Sequence, residues 1–215
     1  MGNTGGKTNL NFNGPACQGF HLDAKCELVK ILGTLPQVGT VTISGSQTID
    51  EILVAAGIGL VLASGPTYTL VRVDGDNAWV KIESGIAVPT LRAIRGRAIV
   101  ETQVTNSYIH DADVEYTGTS KTFALVEVLG QAGVAKLNCP KSTISSLKVW
   151  NGFADGRESI PGEVAISAGE LHRGGKMWFG KHIADGSNVV DWGGDYRGYG
   201  TPTQKVPEGV PGGAA

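Results

Sequence analysis

Charged residues are scarce in this sequence, since Asp, Glu, Lys and Arg make up 18% of its 215 residues, against a usual quarter. The 18 basic and 20 acidic side chains give a formal net charge of −2, so a strongly basic nucleic-acid surface is not indicated. Long apolar runs are also missing. The longest, residues 52–63, is interrupted by Gly57 and Gly59, and it is too short for a membrane-spanning helix. We therefore expect neither nucleic acid as a partner nor a membrane span.

Cysteines are few, and they stand at Cys17, Cys26 and Cys139. An odd number excludes a fully paired internal disulfide framework. Cys17 and Cys26 have no nearby histidines at zinc-site spacing, so the sequence predicts no metal site there. Two states stay open, namely three reduced thiols or a Cys17–Cys26 disulfide in the N-terminal segment.

Motifs for nucleophilic or metal-dependent catalysis are missing as well. The sequence has no G-x-S-x-G, no H-E-x-x-H and no C-x-x-C pattern. The Gly6-Lys7-Thr8 segment has the form of the end of a phosphate-binding loop, but the first glycine of such a loop would fall at Met1, and no strand fits before it. The sequence therefore predicts a protein that is not an enzyme and that has no cofactor.

Glycine is abundant, at 32 residues, about twice the average share. Between the glycines lie short runs in which apolar and polar residues alternate, a pattern typical of half-buried strands. Many short strands with glycine-rich turns favour a mainly β fold, either a sandwich or a barrel. The predicted strands are residues 40–44, 68–73, 78–82, 98–104, 122–129, 134–137, 147–150, 163–167, 176–180 and 188–192.

Three segments carry turn or helix signals. Asp74-Gly75-Asp76-Asn77 between two strand-like runs predicts a β-hairpin, and Asn151-Gly152 predicts a further turn. Residues 23–33 fit a short helix capped by Asp23, although residues 27–32 also fit a strand. Residues 48–51 have the form of a capping box, which predicts a minor two-turn helix that ends at Gly57.

The changes of composition along the chain predict four segments. Residues 1–37 form an N-terminal arm with the alternative of a short helix, and residues 38–158 form the main β domain. Residues 159–197 form a small tryptophan-rich unit of β-hairpins. Residues 198–215, which are rich in proline and glycine, form an extended C-terminal tail.

Two charged clusters have more than one interpretation. On a strand, Asp111, Asp113 and Glu115 would share one face, where they could bind Ca²⁺ or could simply face water. The only basic cluster, residues 92–97 with its three arginines, fits the rim of a contact with another subunit better than it fits nucleic acid, given the overall charge.

Two longer stretches resemble segments of bacteriophage fibre-type proteins. The first joins GTVTISGSQTID (residues 39–50) to strand-like runs that end in GDNAW (residues 75–79). The second joins PGEVAI (residues 161–166) to GKMWFG (residues 175–180), DGSNVV (residues 185–190) and the glycine pair 193–194. This pattern is similar to the hairpin modules of phage tail-fibre and head-fibre chains. No heptad shaft and no collagen repeat accompanies it, which favours a compact surface protein.

This resemblance implies a structural protein of the phage virion, made in the bacterial host cytoplasm. It implies a capsid-decoration or head-fibre role, with other copies of the chain in a homotrimer, and with the major capsid protein or tail proteins, as partners. The expected anchors are Phe12, Phe20, Tyr199 and Pro202. The expected subunit seam or receptor contacts are Trp178, Phe179, Trp192 and Tyr196.

Two alternatives remain open. One is a small tail-fibre or baseplate component that binds a host-surface glycan, with Trp150 and the other C-terminal aromatic rings as stacking platforms. The other, less favoured, is a virion-associated hydrolase.

Overall fold

The strands of this chain stack on one another in sequence order. The computed structural model describes residues 6–12, 19–21, 25–33, 40–55, 59–62, 65–158, 164–179, 188–198 and 200–205, which contain 19 β-strands. The strands are β1 (Gly6–Phe12), β2 (Gly19–His21), β3 (Cys26–Gly33), β4 (Thr40–Ser44), β5 (Thr48–Ala55), β6 (Gly59–Leu62), β7 (Thr67–Ile82), β8 (Val88–Val100), β9 (Val104–Tyr116), β10 (Thr122–Val128), β11 (Val134–Leu137), β12 (Ser142–Val149), β13 (Phe153–Gly156), β14 (Val164–Ile166), β15 (Gly169–His172), β16 (Lys176–Phe179), β17 (Val189–Trp192), β18 (Asp195–Arg197) and β19 (Thr203–Gln204).

Every pairing between these strands is parallel. Each residue lies beside a partner 13 to 23 positions further along the chain. For example, Leu28 pairs with Glu51, Glu51 with Leu70, and Leu70 with Thr90. The chain therefore winds as a β-solenoid, in which each coil adds one strand to each of two parallel sheets.

The two sheets are joined at a corner within each coil. The first sheet contains β1, β3, β5, β10, β12, β15, β17 and β19, and the second contains β2, β4, β6, β11, β13, β16 and β18. The long strands β7, β8 and β9 bend at the corner and contribute one half to each sheet. β14 pairs with the first residues of β12, ahead of β15.

The core consists of apolar side chains stacked in register from coil to coil. One buried ladder in the first sheet runs through nine paired positions, which are Val29, Ile52, Val71, Leu91, Ser107, Val126, Leu147, Gly169 and Val189. Because alternate residues of a strand point to opposite sides, the residues between these positions face outward. Burial of this repeated apolar surface stabilises each coil only through its neighbours.

A ladder of alanine and glycine forms the corner between the two sheets. The seven positions, successive in register, are Ala78, Gly96, Ala112, Gly133, Gly152, Gly175 and Gly194. At each of the five glycines, an added Cβ would lie within 2.8 Å of a backbone carbonyl oxygen of the preceding coil. A Cβ on Gly152, for example, would overlap the Gly133 carbonyl oxygen and would lie 2.7 Å from the Gly130 carbonyl oxygen. Five of the 32 glycines therefore serve the tight bend of this corner, where a larger side chain has no space.

The prediction of a mainly β fold is confirmed, but the predicted sandwich or barrel is wrong. Both of those folds rely on antiparallel hairpins and on sheets that face each other, whereas the sheets here are built one coil at a time. The alternation of apolar and polar residues along a strand determines which side chains point inward, but it does not indicate which other strand pairs with it.

The hairpin at residues 74–77 and the two predicted helices are also wrong. Gly75–Ala78 is a corner of the solenoid, so the strand runs on either side of it belong to different sheets. The segment predicted as a helix from Asp23 lies largely in β3, with Val29 and Ile31 buried at a period of two. The capping-box segment lies in β5, because pairing with β3 and β7 satisfies its backbone groups from both sides.

The strands of the predicted C-terminal hairpin unit exist, but they do not form hairpins. β15, β16, β17 and β18 each pair in parallel with strands of adjacent coils. Part of each predicted arm also joins the stack, since β1 pairs with β3 and β19 pairs with β17. Backbone hydrogen bonds between parallel strands do not require apolar side chains. The polar sequence of these segments therefore led to their prediction as extended arms.

At the C-terminal end of the core, a buried carboxylate takes a ladder position that is apolar in earlier coils. Asp191 is 4% exposed and follows Leu171 in register. Its Oδ1 accepts hydrogen bonds from the backbone N–H groups of Gly193 and Gly194, and its Oδ2 accepts one from Nε2 of Gln204. Both carboxylate oxygens therefore have hydrogen-bond partners, and the carboxylate connects β17 to β19 at this end of the stack.

Within the described ranges, no helix is long and apolar enough to cross a membrane.

Candidate functional site

The outward-facing charges of the second sheet are paired between adjacent coils. Asp113 binds Nζ of Lys136 at 2.7 Å, and Glu115 binds the guanidinium of Arg97 at 2.8 Å. Asp111 accepts a hydrogen bond from the backbone N–H of Ala132. The three carboxylates that could have formed a calcium site are thus each bonded to a different group. Among the residues that the structure describes, no cluster of three or more His, Cys, Asp or Glu side chains could hold a metal ion.

Two of the three arginines in the basic cluster, Arg95 and Arg97, are paired with carboxylates in the same way. Arg95 binds Asp74 through Nε at 3.2 Å and through an amino group at 3.1 Å. Arg92 lies over the ring of Tyr108 in the next coil, 5.8 Å from its centroid. These contacts connect neighbouring coils, and they leave little net positive charge for a phosphate backbone.

Trp178 lies at the centre of a cluster on the outer face of the second sheet. The guanidinium of Arg157, from the preceding coil, is 4.9 Å from the ring centroid, and that of Arg197, from the following coil, is 4.1 Å away. The indole Nε1 donates a hydrogen bond to Asp195 at 3.1 Å, and the ring of Phe153 packs against Trp178 edge-on at 5.0 Å. Cation–π and hydrogen-bond contacts therefore hold Trp178 within its own chain.

The two carboxylates of this cluster have lowered pKa values. Burial by itself would raise the pKa of Asp155, but hydrogen bonds from the side chain and backbone of Arg157 lower it overall. A hydrogen bond from Arg197 lowers the pKa of Asp195, burial opposes this, and the bond from Trp178 adds to the lowering. Both carboxylates are therefore ionised more readily in the folded chain than in the unfolded chain.

We expect these pairs to make the C-terminal coils sensitive to acid. Because the folded-state pKa values are depressed, the stabilisation is present above the unfolded pKa and is lost as the pH falls through the folded pKa. The free energy of unfolding should therefore decrease below about pH 4, and the double variant Asp155→Asn/Asp195→Asn should show a shallower decrease. Urea midpoints measured at pH 3 and pH 7 test this. The exposed Asp76→Asn serves as control, and an unchanged pH slope in the double variant would contradict the assignment.

Three aromatic rings form a stack on the outer face of the first sheet, one ring per coil. Trp150 and His172 lie 3.7 Å apart between centroids with an interplanar angle of 11°, and His172 and Trp192 lie 6.2 Å apart at 5°. Nε1 of Trp150 donates a hydrogen bond to Glu127 at 2.8 Å. At least one face of each tryptophan is therefore covered by the histidine, and Trp150 is the most exposed of the three rings, at 37%.

The four predicted seam residues separate into two groups. Trp178 and Trp192 face outward and are partly exposed. Phe179 is buried, and Tyr196 is partly buried against the core, with the two ring centroids 6.1 Å apart. The strand alternation places Phe179 and Tyr196 on the inner side, so only the tryptophans are positioned for a contact with another molecule.

Three of the four predicted anchor residues are described, and they lie near the two ends of the stack. Phe12 pairs through its backbone with Gly33, and Phe20 pairs with Ile43. Pro202 is half-buried directly before β19. Tyr199 lies outside the described residues, as do Cys17 and the last ten residues of the predicted tail. Cys26 and Cys139 are buried.

A groove beside Trp79 is a further candidate site, and no sequence motif marks it as one. It has a volume of about 510 Å³ and lies on the outer face of the second sheet. Trp79 and Arg97 are consecutive in register there. Their separation of 18 positions equals one coil, so the sequence signal exists only once the coil length is known.

No protein-family model, no curated protein and no solved structure matches this chain.

Proposed function

We propose that this chain is a structural protein of a bacteriophage virion, a capsid-decoration or head-fibre protein that acts as a stiff β-solenoid spacer. The resemblance of residues 39–79 and 161–194 to phage fibre-type segments supports this proposal. The observation that carries it is the bonding of outward side chains between successive coils, which runs along both sheets.

This bonding favours a mechanical role because it ties each coil to the next on the outside as well as in the core. Arg97 binds Glu115 one coil further along, and Lys136 binds Asp113 one coil back. Lys148 binds Glu170 of the following coil at 2.9 Å. Each exposed pair contributes little alone, but a series of them along the axis restrains bending between coils, as the stacked rings 150, 172 and 192 also do.

The proposal includes self-assembly into a homotrimer. The outer edges of Trp178 and Trp192 form the seam, and residues at the two ends, including Phe12 and Pro202, contact the capsid or tail proteins. Aromatic side chains are enriched at the cores of such interfaces, where they bury large areas.

The mass of the purified chain in solution tests assembly, and particle composition tests location. Light scattering after size exclusion should give three times the 22.4 kDa of one chain. Mass spectrometry of purified phage particles whose genome encodes the chain should detect it after washing in high salt. A stable monomer that never accompanies particles would overturn the proposal.

A further inference from the structure

The groove beside Trp79 lies on the outer face of the second sheet, next to the corner formed by Gly75–Ala78. Its lining residues are Asn77, Ala78, Trp79, Gly96, Arg97 and Ile99. A volume of about 510 Å³ is within the range of small-ligand sites, and the mixture of apolar and a few polar groups is typical of them.

The groove exists because two side chains in one ladder turn away from each other. The ladder runs from Gly59 to Trp79 to Arg97. The indole of Trp79 lies over Gly59, in space that a Cβ there would occupy. Arg97 is drawn the other way by its 2.8 Å ion pair with Glu115. The space between them therefore depends on a glycine on one side and on an ion pair on the other.

The lining offers an aromatic ring beside planar polar groups. Arg97 is 50% exposed on its side chain and keeps N–H groups beyond the one that binds Glu115. Asn77 is exposed and adopts a φ of 62°, which places it at the tip of the corner above the groove. Within the described residues, Trp79 makes no cation–π or ring-stacking contact, in contrast to Trp178 and Trp192.

The surroundings argue against two classes of partner. Nucleic acid is disfavoured because Asp74 and Glu115 neutralise the neighbouring Arg95 and Arg97. A peptide that adds a β-strand is disfavoured because the strand that carries Trp79 is paired on both edges, by β6 and by β8.

We propose that this groove binds an oligosaccharide. The apolar C–H face of a sugar ring packs on the indole of Trp79. Adjacent hydroxyl groups accept hydrogen bonds from the guanidinium of Arg97, whose planar fork suits paired oxygens, and they exchange hydrogen bonds with the amide of Asn77. The groove is open to solvent, so a unit within a longer glycan chain can enter from the side. This inference goes beyond the proposed structural role and does not depend on it.

A printed array of neutral and acidic oligosaccharides from bacterial surface polysaccharides tests the proposal, with binding constants for positive spots measured by titration. We expect wild-type binding to at least one glycan and at least about tenfold weaker binding by Trp79→Ala. Arg97→Lys should also weaken binding, because lysine keeps the positive charge but loses the paired donors. Comparison of the neutral with the acidic oligosaccharides on the array identifies the class of sugar that binds.

Two further variants separate a binding role from a folding role. Gly59→Ala adds a methyl group where the Trp79 ring lies, so the ring should move into the groove and weaken binding without loss of the tryptophan. Trp150→Ala removes a stacked ring that lies outside both the groove and the proposed seam and should keep full affinity. Circular dichroism checks the fold of each variant.

An array without any signal would overturn the oligosaccharide proposal, and so would binding lost in Trp150→Ala but kept in Trp79→Ala. A particle-bound trimer that ignores every glycan would contradict this inference and leave the structural role intact. A monomer that binds glycans through Trp79 would support this inference and contradict the proposed structural role.

Discussion

Gly152→Ala should destabilise the chain by about 3 kcal/mol, because at this position the corner has no space for a methyl group. A Cβ there would overlap the Gly133 carbonyl oxygen and a methyl group of Val128, and it would lie 2.7 Å from the Gly130 carbonyl oxygen. Two of these three groups are backbone, so relief requires the coils to separate. Chemical denaturation followed by circular dichroism measures the loss.

Gly193→Ala is the matched control. Gly193 has a φ of +98°, and nothing lies within 4 Å of an added Cβ, so only backbone strain of about 1 kcal/mol is expected. Equal losses in the two variants would mean that crowding at the corner ladder is not what requires glycine.

Leu91→Asp should prevent folding of the central coils, with a loss of about 4 kcal/mol or more. Leu91 is fully buried, and its ladder neighbours are Val71 and Ser107. A carboxylate there would have no cation beside it, and a buried charge without a partner is among the costliest changes in a core. Soluble yield and the thermal unfolding midpoint measure the effect.

Arg92→Asp places the same charge one residue further on, on the outer face. Arg92 is exposed and contacts Tyr108, so its replacement should cost below about 1 kcal/mol. If the two variants were equally stable, the inward and outward assignment of β8 would be wrong.

Local patterning was sufficient to locate about half of the described strands. Thr40–Ser44, Val134–Leu137 and Lys176–Phe179 match predicted runs to within a residue, because alternation of apolar and polar residues reflects a half-buried strand in any β fold. The pairing of those strands could not be predicted in the same way. Gly152 pairs between Gly133 and Gly175, and nothing within ten residues of it indicates either neighbour.

The coil repeat is hidden in the sequence because its length varies. Successive members of the corner ladder are 16 to 23 residues apart, so a search at one fixed period finds no repeat. The variation arises in the connections, such as the longer corner Gly130–Gly133 and the short one at Gly96. A solenoid tolerates such changes because each coil needs only to restore the register of the next.

The candidate site was accessible to sequence reasoning only in part. The sequence names Trp178 and Trp192 as seam or receptor candidates, but their ring contacts with arginines and with His172 come from adjacent coils and depend on the coil register. The groove between Trp79 and Arg97 depends in addition on Gly59, 20 positions earlier. In the sequence, each of these residues fits an ordinary strand pattern, and that pattern does not mark it as part of a site.

The most direct test of the parallel solenoid is a set of distances along one outward ladder. Nitroxide labels at Lys30 paired in turn with Arg92, Glu127 and Glu170 span three, five and seven coil steps. At about 4.8 Å per step the backbone separations are about 14, 24 and 34 Å. For this experiment, Cys17 is replaced by serine. Cys26 and Cys139 are buried, and burial raises the pKa of the Cys139 thiol to about 11, which protects this thiol from labelling. Electron paramagnetic resonance distances that rise by about 10 Å from pair to pair would support the solenoid, and distances that fail to increase from Arg92 to Glu170 would contradict it.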